Sequence, residues 1–305
     1  MANNPLRKVT LQHLRDMKAK RKSIVALGVY DSPMAAWADA LGFEMFIIGN
    51  SGPMSLFGHR SSTTVKPQEL LFMTQAVSRV THHALIVATM PYMSYCASQE
   101  ESVRTAAWLV SEGGADAMQC HGTRYTAPFI ASIVHSGIPV LAHLGLQSVR
   151  KTEQSGYGVK GRDATEAEKI VADAEAMVDA GVFAILLEHV PEEITKYLTA
   201  RLDVPVISLG AGQGGDGVYL VSADLTGYSI ARKPSTAGDF IDVRPMIEKA
   251  LREYLSKART RAYPQAALSR HMTKEELRKF RSLVKNHPSA DTKNRRKRQT
   301  GEKPR

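Results

Sequence analysis

Short apolar segments alternate with longer amphipathic segments between residues 23 and 230. The short segments are rich in Val, Ile and Leu and the longer ones have helical periodicity, which is typical of repeated βα units around a parallel sheet. Seven clear strands and a less distinct eighth near Tyr228 favour a closed (β/α)8 TIM barrel over an open, doubly wound sheet. No Gly-x-Gly-x-x-Gly sequence follows the first strand, which argues against a dinucleotide-binding fold. The predicted strands are residues 24–30, 45–49, 84–90, 117–121, 139–143, 184–189 and 205–209.

The predicted helices complete these units and extend the barrel at both ends. An amphipathic helix over residues 11–22 is expected to cap the base of the barrel, and residues 243–255 are predicted as the last barrel helix. We therefore divide the chain into a barrel domain over 1–265, a helical extension over 266–290 with a helix at 273–284, and a disordered basic tail over 291–305. The helices predicted between the strands are residues 33–41, 67–81, 98–113, 125–136, 163–180, 191–200 and 216–224.

The net charge of +10 suggests a nucleic-acid partner until its distribution is considered. Residues 1–22 carry a net charge of +6, residues 291–305 carry +5, and the remaining body carries −1. A body with this charge balance lacks the basic surface that nucleic-acid-binding proteins use to contact phosphates. The tail has no aromatic residue to stack on bases. Nucleic acid is therefore not an expected partner, except through the basic tail.

Composition also bears on the compartment. No segment of about 18 apolar residues is present, and the N-terminus mixes Arg and Lys with Leu where a signal peptide would be apolar. The two cysteines, Cys96 and Cys120, do not form a disulfide framework or a Cys-x-x-Cys metal motif. We expect a cytoplasmic protein without a membrane anchor.

Polar residues interrupt the apolar strands where the strands end. In a parallel barrel these ends and the loops after them carry the active site, and an unpaired polar residue there costs stability unless it has a partner or a ligand. We therefore expect a ligand site at this end of the barrel. The polar residues in these positions are Tyr30, Asp31, Asn50, Ser51, Thr89, Gln119, His121, His143, Glu188, His189 and Ser208.

Several of these residues belong to motifs that resemble those of ketopantoate hydroxymethyltransferase, in the same order from about residue 10 to residue 266. The resemblance implies a (β/α)8 barrel of the phosphoenolpyruvate mutase and isocitrate lyase superfamily, often assembled as a decamer. It also implies transfer of a hydroxymethyl group from methylenetetrahydrofolate to 2-oxoisovalerate in pantothenate biosynthesis. The motifs are Gly49-Asn50-Ser51 with Gly58-His59, Met90-Pro91 with Tyr95, His143-Leu144-Gly145-Leu146, Gly156-Tyr157-x-Val159-x-Gly161-Arg162, Leu187-Glu188-x-Val190-Pro191 and Gly210-Ala211-Gly212-x-x-x-Asp216-Gly217.

The sequence departs from this family at the metal site. By resemblance, family members hold Mg2+ with acids on three successive strand ends and use a lysine beside the third to bind the substrate's carboxylate. Asn50, Thr89 and His121 occupy the three acid positions, and Gln119 occupies the lysine position. Because Mg2+ requires anionic oxygen ligands, we expect metal binding to be weak or absent.

The other family positions are retained. The resemblance implies that Glu188 is the catalytic base, that His143 is an active-site histidine and that Ser51 contacts the carboxylate of a 2-oxo acid. Asn50, Thr89 and Gln119 are then expected to bind substrate, with His121 and Gln119 as donors to the enolate oxygen. Two alternatives stay open: a metal-independent enzyme that makes or breaks a carbon–carbon bond in another 2-oxo acid, and a non-catalytic barrel that binds a small carboxylate.

Overall fold

The computed structural model describes residues 6–230, 233–285 and 287, and its described strands form a closed barrel of eight parallel strands in chain order. The prediction of a (β/α)8 barrel is confirmed. The strands are β1 (Ile24–Gly28), β2 (Met45–Ile48), β3 (Leu85–Thr89), β4 (Ala117–His121), β5 (Val140–Gly145), β6 (Ala184–Glu188), β7 (Val206–Leu209) and β8 (Gly217–Val221).

The helices around these strands lie within three residues of most of the predicted bounds. Several begin at side-chain caps, as where the Asp31 carboxylate accepts a hydrogen bond from the Met34 N–H at 2.9 Å. None of the described helices is long and apolar enough to cross a bilayer. They are α1 (Leu11–Ala19), α2 (Ser32–Leu41), α3 (Ser51–Leu56), α4 (Pro67–Ser78), α5 (Gln99–Ser111), α6 (Ala127–His135), α7 (Ala164–Asp179), α8 (Glu192–Arg201), α9 (Ser222–Thr226), α10 (Arg244–Arg259) and α11 (Lys274–Val284).

The prediction was wrong at the eighth βα unit. Residues 216–224 were assigned to a helix and the last strand to the region of Tyr228, whereas β8 occupies Gly217–Val221. In this strand Tyr219 is buried while its neighbour Val218 is 46% exposed, the two-residue alternation of a strand. β8 itself contains no charged or amide residue, its sequence being Gly-Val-Tyr-Leu-Val, so periodicity alone did not separate strand from helix. The segment forms a strand because it pairs with β7 on one side and with β1 on the other.

The chain divides into two compact units, one ending at Arg244 and the other beginning at Pro245. Helix α10 was predicted as the last barrel helix, but it lies almost wholly in the second unit and none of its residues is buried. The assignment of domains to 1–265, 266–290 and 291–305 stays a prediction, and the basic tail lies outside the described residues.

The core of the first unit fills the barrel interior and the space between the strands and the surrounding helices. Strands β2, β3 and β4 are buried along their whole length, as expected for strands that are covered on both faces. Some polar residues are also buried, and many of these lie at the carboxyl ends of the strands. These ends position the site described next.

Candidate active site

A cavity of about 260 Å3 opens at the carboxyl ends of the strands. All seven site residues predicted from the sequence line this cavity. The seven are Asn50, Ser51, Thr89, Gln119, His121, His143 and Glu188.

Strand register brings these residues together. Gln119 and His121 are two residues apart on β4 and therefore face the same side of the sheet. Gln119 pairs with Thr89 of β3, and His121 pairs with His143 of β5. The end of β6 adds Glu188, whose register partner on β5 is Gly145. Four neighbouring strands thus supply one continuous polar surface in an otherwise apolar barrel.

A row of polar contacts crosses this surface from Thr89 to Glu188. The Thr89 hydroxyl donates to Gln119 Oε1 at 3.1 Å, and Gln119 Nε2 lies 2.6 Å from His143 Nδ1. His143 Nε2 lies 2.8 Å from Glu188 Oε2, although the two groups are not aligned as in a straight hydrogen bond. A carboxylate only accepts protons, so this contact places the imidazole proton on Nε2 and leaves Nδ1 to accept from the amide. The row therefore orients His143 toward Glu188.

His121 stacks on His143 but is not part of the row. The two ring centroids are 4.4 Å apart with an interplanar angle of 30°, and His121 Nδ1 is buried without a hydrogen-bond partner. Burial, together with the charges of His143 and Arg150, lowers the pKa of His121 well below its ordinary value. His121 is consequently neutral at pH 7, with one ring nitrogen available as a donor and the other as an acceptor.

Asn50 is the least satisfied group in the cavity. It is buried immediately before α3, and neither its Nδ2 nor its Oδ1 has a hydrogen-bond partner. A buried polar group in this state costs about 1–3 kcal/mol until something pairs with it. Together with His121, it marks the place where a polar ligand would complete the site.

Sequence reasoning named Tyr30 and Ser51 separately but missed the cluster of three hydroxyls that they form with Tyr219. The hydroxyls of Tyr30 and Ser51 are 2.5 Å apart, and the phenol of Tyr219 lies beside them. Burial raises the pKa of Tyr30 and of Tyr219, so both phenols stay protonated. Gly28 leaves room for them, because a Cβ at this position would lie 2.7 Å from each phenol oxygen. Tyr219 was missed because its segment had been assigned to a helix.

Two further groups reach the cavity without having been predicted as site residues. Asp224 lines the cavity from α9, and burial raises the pKa of its carboxyl group. The positive charge of Lys233 opposes this increase, and the negative charge of Glu188 adds to it. His189 follows Glu188 with a left-handed backbone, φ 51°, and its Nε2 lies 3.3 Å from the Thr236 hydroxyl. A non-glycine residue in this conformation is strained, which is a common property of functional sites. Its position in Glu188-His189 was the available sequence signal.

Comparison with known proteins places this site in a family. Residues 8–266 match the family model described as ketopantoate hydroxymethyltransferase. The chain belongs to the ketopantoate hydroxymethyltransferase family. The family predicted from the sequence motifs is thereby confirmed.

Curated relatives of the chain bear one name, 3-methyl-2-oxobutanoate hydroxymethyltransferase. The relative from Moorella thermoacetica is 38% identical over 257 residues, covering 84% of this chain and 96% of its own length. The relative from Emericella nidulans is 34% identical over 287 residues, covering 93% of this chain and 82% of its own length. Members from a bacterium and a fungus thus align with nearly the whole barrel.

Solved structures show the same fold at low sequence identity. Phosphonopyruvate hydrolase superposes with a TM-score of 0.55 at 13% identity, covering 92% of this chain and 99% of its own. The 2,3-dimethylmalate lyase, described as a member of the PEP mutase/isocitrate lyase superfamily, gives a TM-score of 0.51 at 19% identity, with coverage of 97% and 98%. These likenesses show that the chain shares the barrel fold of these proteins.

The residues at the family's metal positions do not fit Mg2+. Asn50, Thr89 and His121 offer only uncharged donors, and the Thr89 hydroxyl is already used by Gln119. Within residues 6–230, 233–285 and 287, no three His, Cys, Asp or Glu side chains come together to hold a metal ion. Hard divalent cations require carboxylate or carbonyl oxygens in larger number. We derive no chemical step through a metal at this site.

Proposed function

We propose that this chain is a hydroxymethyltransferase-type enzyme that enolises a 2-oxo acid and adds a one-carbon unit to the resulting enolate. The observation that carries the proposal is the Glu188 carboxylate, 2.8 Å from His143, in a cavity that is also lined by the unpaired side chains of Asn50 and His121. The names of the relatives support 3-methyl-2-oxobutanoate, or 2-oxoisovalerate, as the 2-oxo acid.

In the proposed first step Glu188 removes the proton from C3 of the 2-oxo acid. His143 contacts one carboxylate oxygen, Oε2, and this leaves the other oxygen to accept the proton. The electron pair of the broken C–H bond moves to the oxo oxygen, which becomes an enolate. Because Asn50 and His121 are buried, their fixed dipoles act strongly at this oxygen.

Asn50 and His121 are the proposed donors to the enolate oxygen. Both are buried and each has a side-chain nitrogen without a partner, so they would gain a hydrogen bond when substrate binds. Donors that are held in place before the reaction stabilise developing charge without reorganisation. Gln119, which was also predicted as a donor, uses its amide to orient His143 and acts on the reaction through that residue.

The substitutions at the family's metal site are balanced in charge. Relative to the family pattern, three carboxylates, one lysine and one divalent cation are replaced by neutral groups, and the net charge of the site does not change. This balance supports a site that works without a metal, because removing the acids alone would leave excess positive charge and removing the cation alone would leave excess negative charge. We propose Asn50 and His121 in place of the cation.

In the second proposed step the enolate carbon attacks the one-carbon unit of methylenetetrahydrofolate, the family's donor. Water breaks both bonds between the one-carbon unit and the folate nitrogens and leaves that carbon as a carbonyl at the oxidation level of formaldehyde. The new carbon–carbon bond forms as this carbonyl bond opens to an alkoxide, and the alkoxide takes the proton that Glu188 holds, which gives the hydroxyl group. We also propose a cytoplasmic homo-oligomer, with the decamer expected from the family; sedimentation velocity of the full chain tests the assembly.

The first step is tested by proton exchange at C3 of 2-oxoisovalerate, followed by NMR in D2O with EDTA and then with Mg2+. We expect exchange that persists in EDTA and is lost in Glu188→Gln. Exchange that occurs only with Mg2+ would overturn the metal-free mechanism. If no exchange occurs in either condition, the chain could still be a metal-independent enzyme for another 2-oxo acid. That alternative is favoured if turnover of such an acid is found and Glu188→Gln abolishes it. A non-catalytic barrel is favoured if a small carboxylate binds equally to both proteins.

A further inference from the structure

The cavity must recognise a carboxylate without the family's lysine or metal. Among the described residues that line it, none is Lys or Arg, while two are acids, Glu188 and Asp224. A 2-oxo acid that enters this cavity therefore depends on neutral hydrogen-bond donors for its carboxylate. Asn50 and His121 lie on the side of β2 and β4, where the proposed enolate oxygen is held.

The hydroxyl cluster lies beside these donors, because Ser51 directly follows Asn50 in the chain. Ser51 and Tyr219 line the cavity, whereas Tyr30 is buried behind them and is absent from the lining. Tyr219 reaches this place because it faces the barrel interior from β8, in register with Ala26 of β1.

We propose that Tyr219 is a substrate-binding residue that, together with Ser51, donates hydrogen bonds to the carboxylate of the 2-oxo acid. The inference rests on the proposed function and extends it, since only Ser51 is a family position for this contact. Two hydroxyls at one edge of the cavity match the two oxygens of a carboxylate. When substrate is bound, Tyr30 donates its single proton to one of these two hydroxyls, which leaves the protons of Ser51 and Tyr219 for the carboxylate.

The state of the phenol fits this role. Burial raises the pKa of Tyr219, and the nearby Glu188 carboxylate raises it further, so the hydroxyl keeps its proton at neutral pH. A protonated phenol donates to a carboxylate, and such charge-assisted bonds are stronger than those between neutral groups. The hydroxyl thus supplies part of the attraction that a lysine would supply elsewhere.

The proposal is tested with Tyr219→Phe, which removes the hydroxyl and keeps the ring. Calorimetry in H2O without folate measures binding of two probes, 2-oxoisovalerate and its methyl ester, which lacks the carboxylate charge. We expect about a tenfold weaker affinity for the acid, as for the loss of one hydrogen bond to a charged group, and an ester affinity within about twofold of the wild type. Tyr125→Phe, at a tyrosine that is 81% exposed and outside the cavity, should change neither affinity.

Equal losses for both probes, no loss for either, or a wild-type protein that binds neither probe would overturn the proposal. Tyr219→Met provides the same comparison if the phenylalanine variant does not fold. Proton exchange at C3 separates the two proposals. If the wild type shows no proton exchange at C3 but Tyr219→Phe weakens binding of the acid and not of the ester, the proposed catalysis is rejected and the carboxylate site is retained. Normal exchange with a loss that is equal for both probes would reject the carboxylate site alone.

Discussion

Replacing Gln119 by Leu tests whether the polar row from Thr89 to Glu188 is formed. The change keeps the size of the side chain but removes both of its hydrogen bonds, at 3.1 Å to Thr89 and 2.6 Å to His143. Because both partners are buried, each is left unpaired, and we expect a combined loss of about 2–4 kcal/mol. For a unit of this size that loss lowers Tm by about 5–15 °C.

Thermal unfolding followed by circular dichroism measures the loss, and Thr89→Val provides a graded comparison. This second variant breaks only the bond at the end of the row, so we expect about half the effect or less. The 15N NMR shifts of labelled histidine report the tautomer of His143, which should carry its proton on Nε2 in the wild type. A Tm within 1 °C of the wild type for Gln119→Leu, as a threshold of about 0.3 kcal/mol, or a proton on Nδ1 in the wild type would refute the row.

Three other perturbations address the metal positions, the second carboxyl group and the hydroxyl cluster. Changing Asn50 and Thr89 to Asp and His121 to Glu together should create Mg2+ binding that calorimetry detects; equal binding by the wild type would contradict the proposed loss of the site. Burial holds the pKa of Asp224 above its ordinary 3.8, so the ionised form destabilises the fold, and stability falls as pH rises from 3.8 through the folded pKa. Asp224→Asn removes this fall: we expect a higher Tm than the wild type at pH 7 and a smaller difference near pH 3.8, and the opposite trend would count against burial as the cause. Gly28→Ala places a Cβ 2.7 Å from two phenol oxygens and should cost about 1–3 kcal/mol in urea unfolding; an unchanged midpoint would show that the phenols are not held there.

The location of the site was predictable from the sequence, because the active-site residues of a parallel barrel lie at the carboxyl ends of its strands. Every predicted site residue lines the cavity, and the family motifs identified them by position in the chain. Their roles stay predictions, since position in a motif does not show which donor meets which atom. The replaced metal acids were also visible in the sequence, because residue type alone decides whether a hard cation has anionic ligands.

The sequence by itself determined the alternation of strands and helices, the family and the residues at the mouth of the barrel. Only the tertiary structure decided that Gln119 orients His143, that Asn50 and His121 are unpaired, and that Tyr219 joins Ser51. Each of these depends on strand register and barrel closure, which bring together side chains that are far apart in the chain. β8 makes the point clearly, because an apolar pentapeptide became a strand only where β1 and β7 left a gap for it to pair on both edges. Local pattern chooses the elements, and long-range pairing chooses the contacts between them.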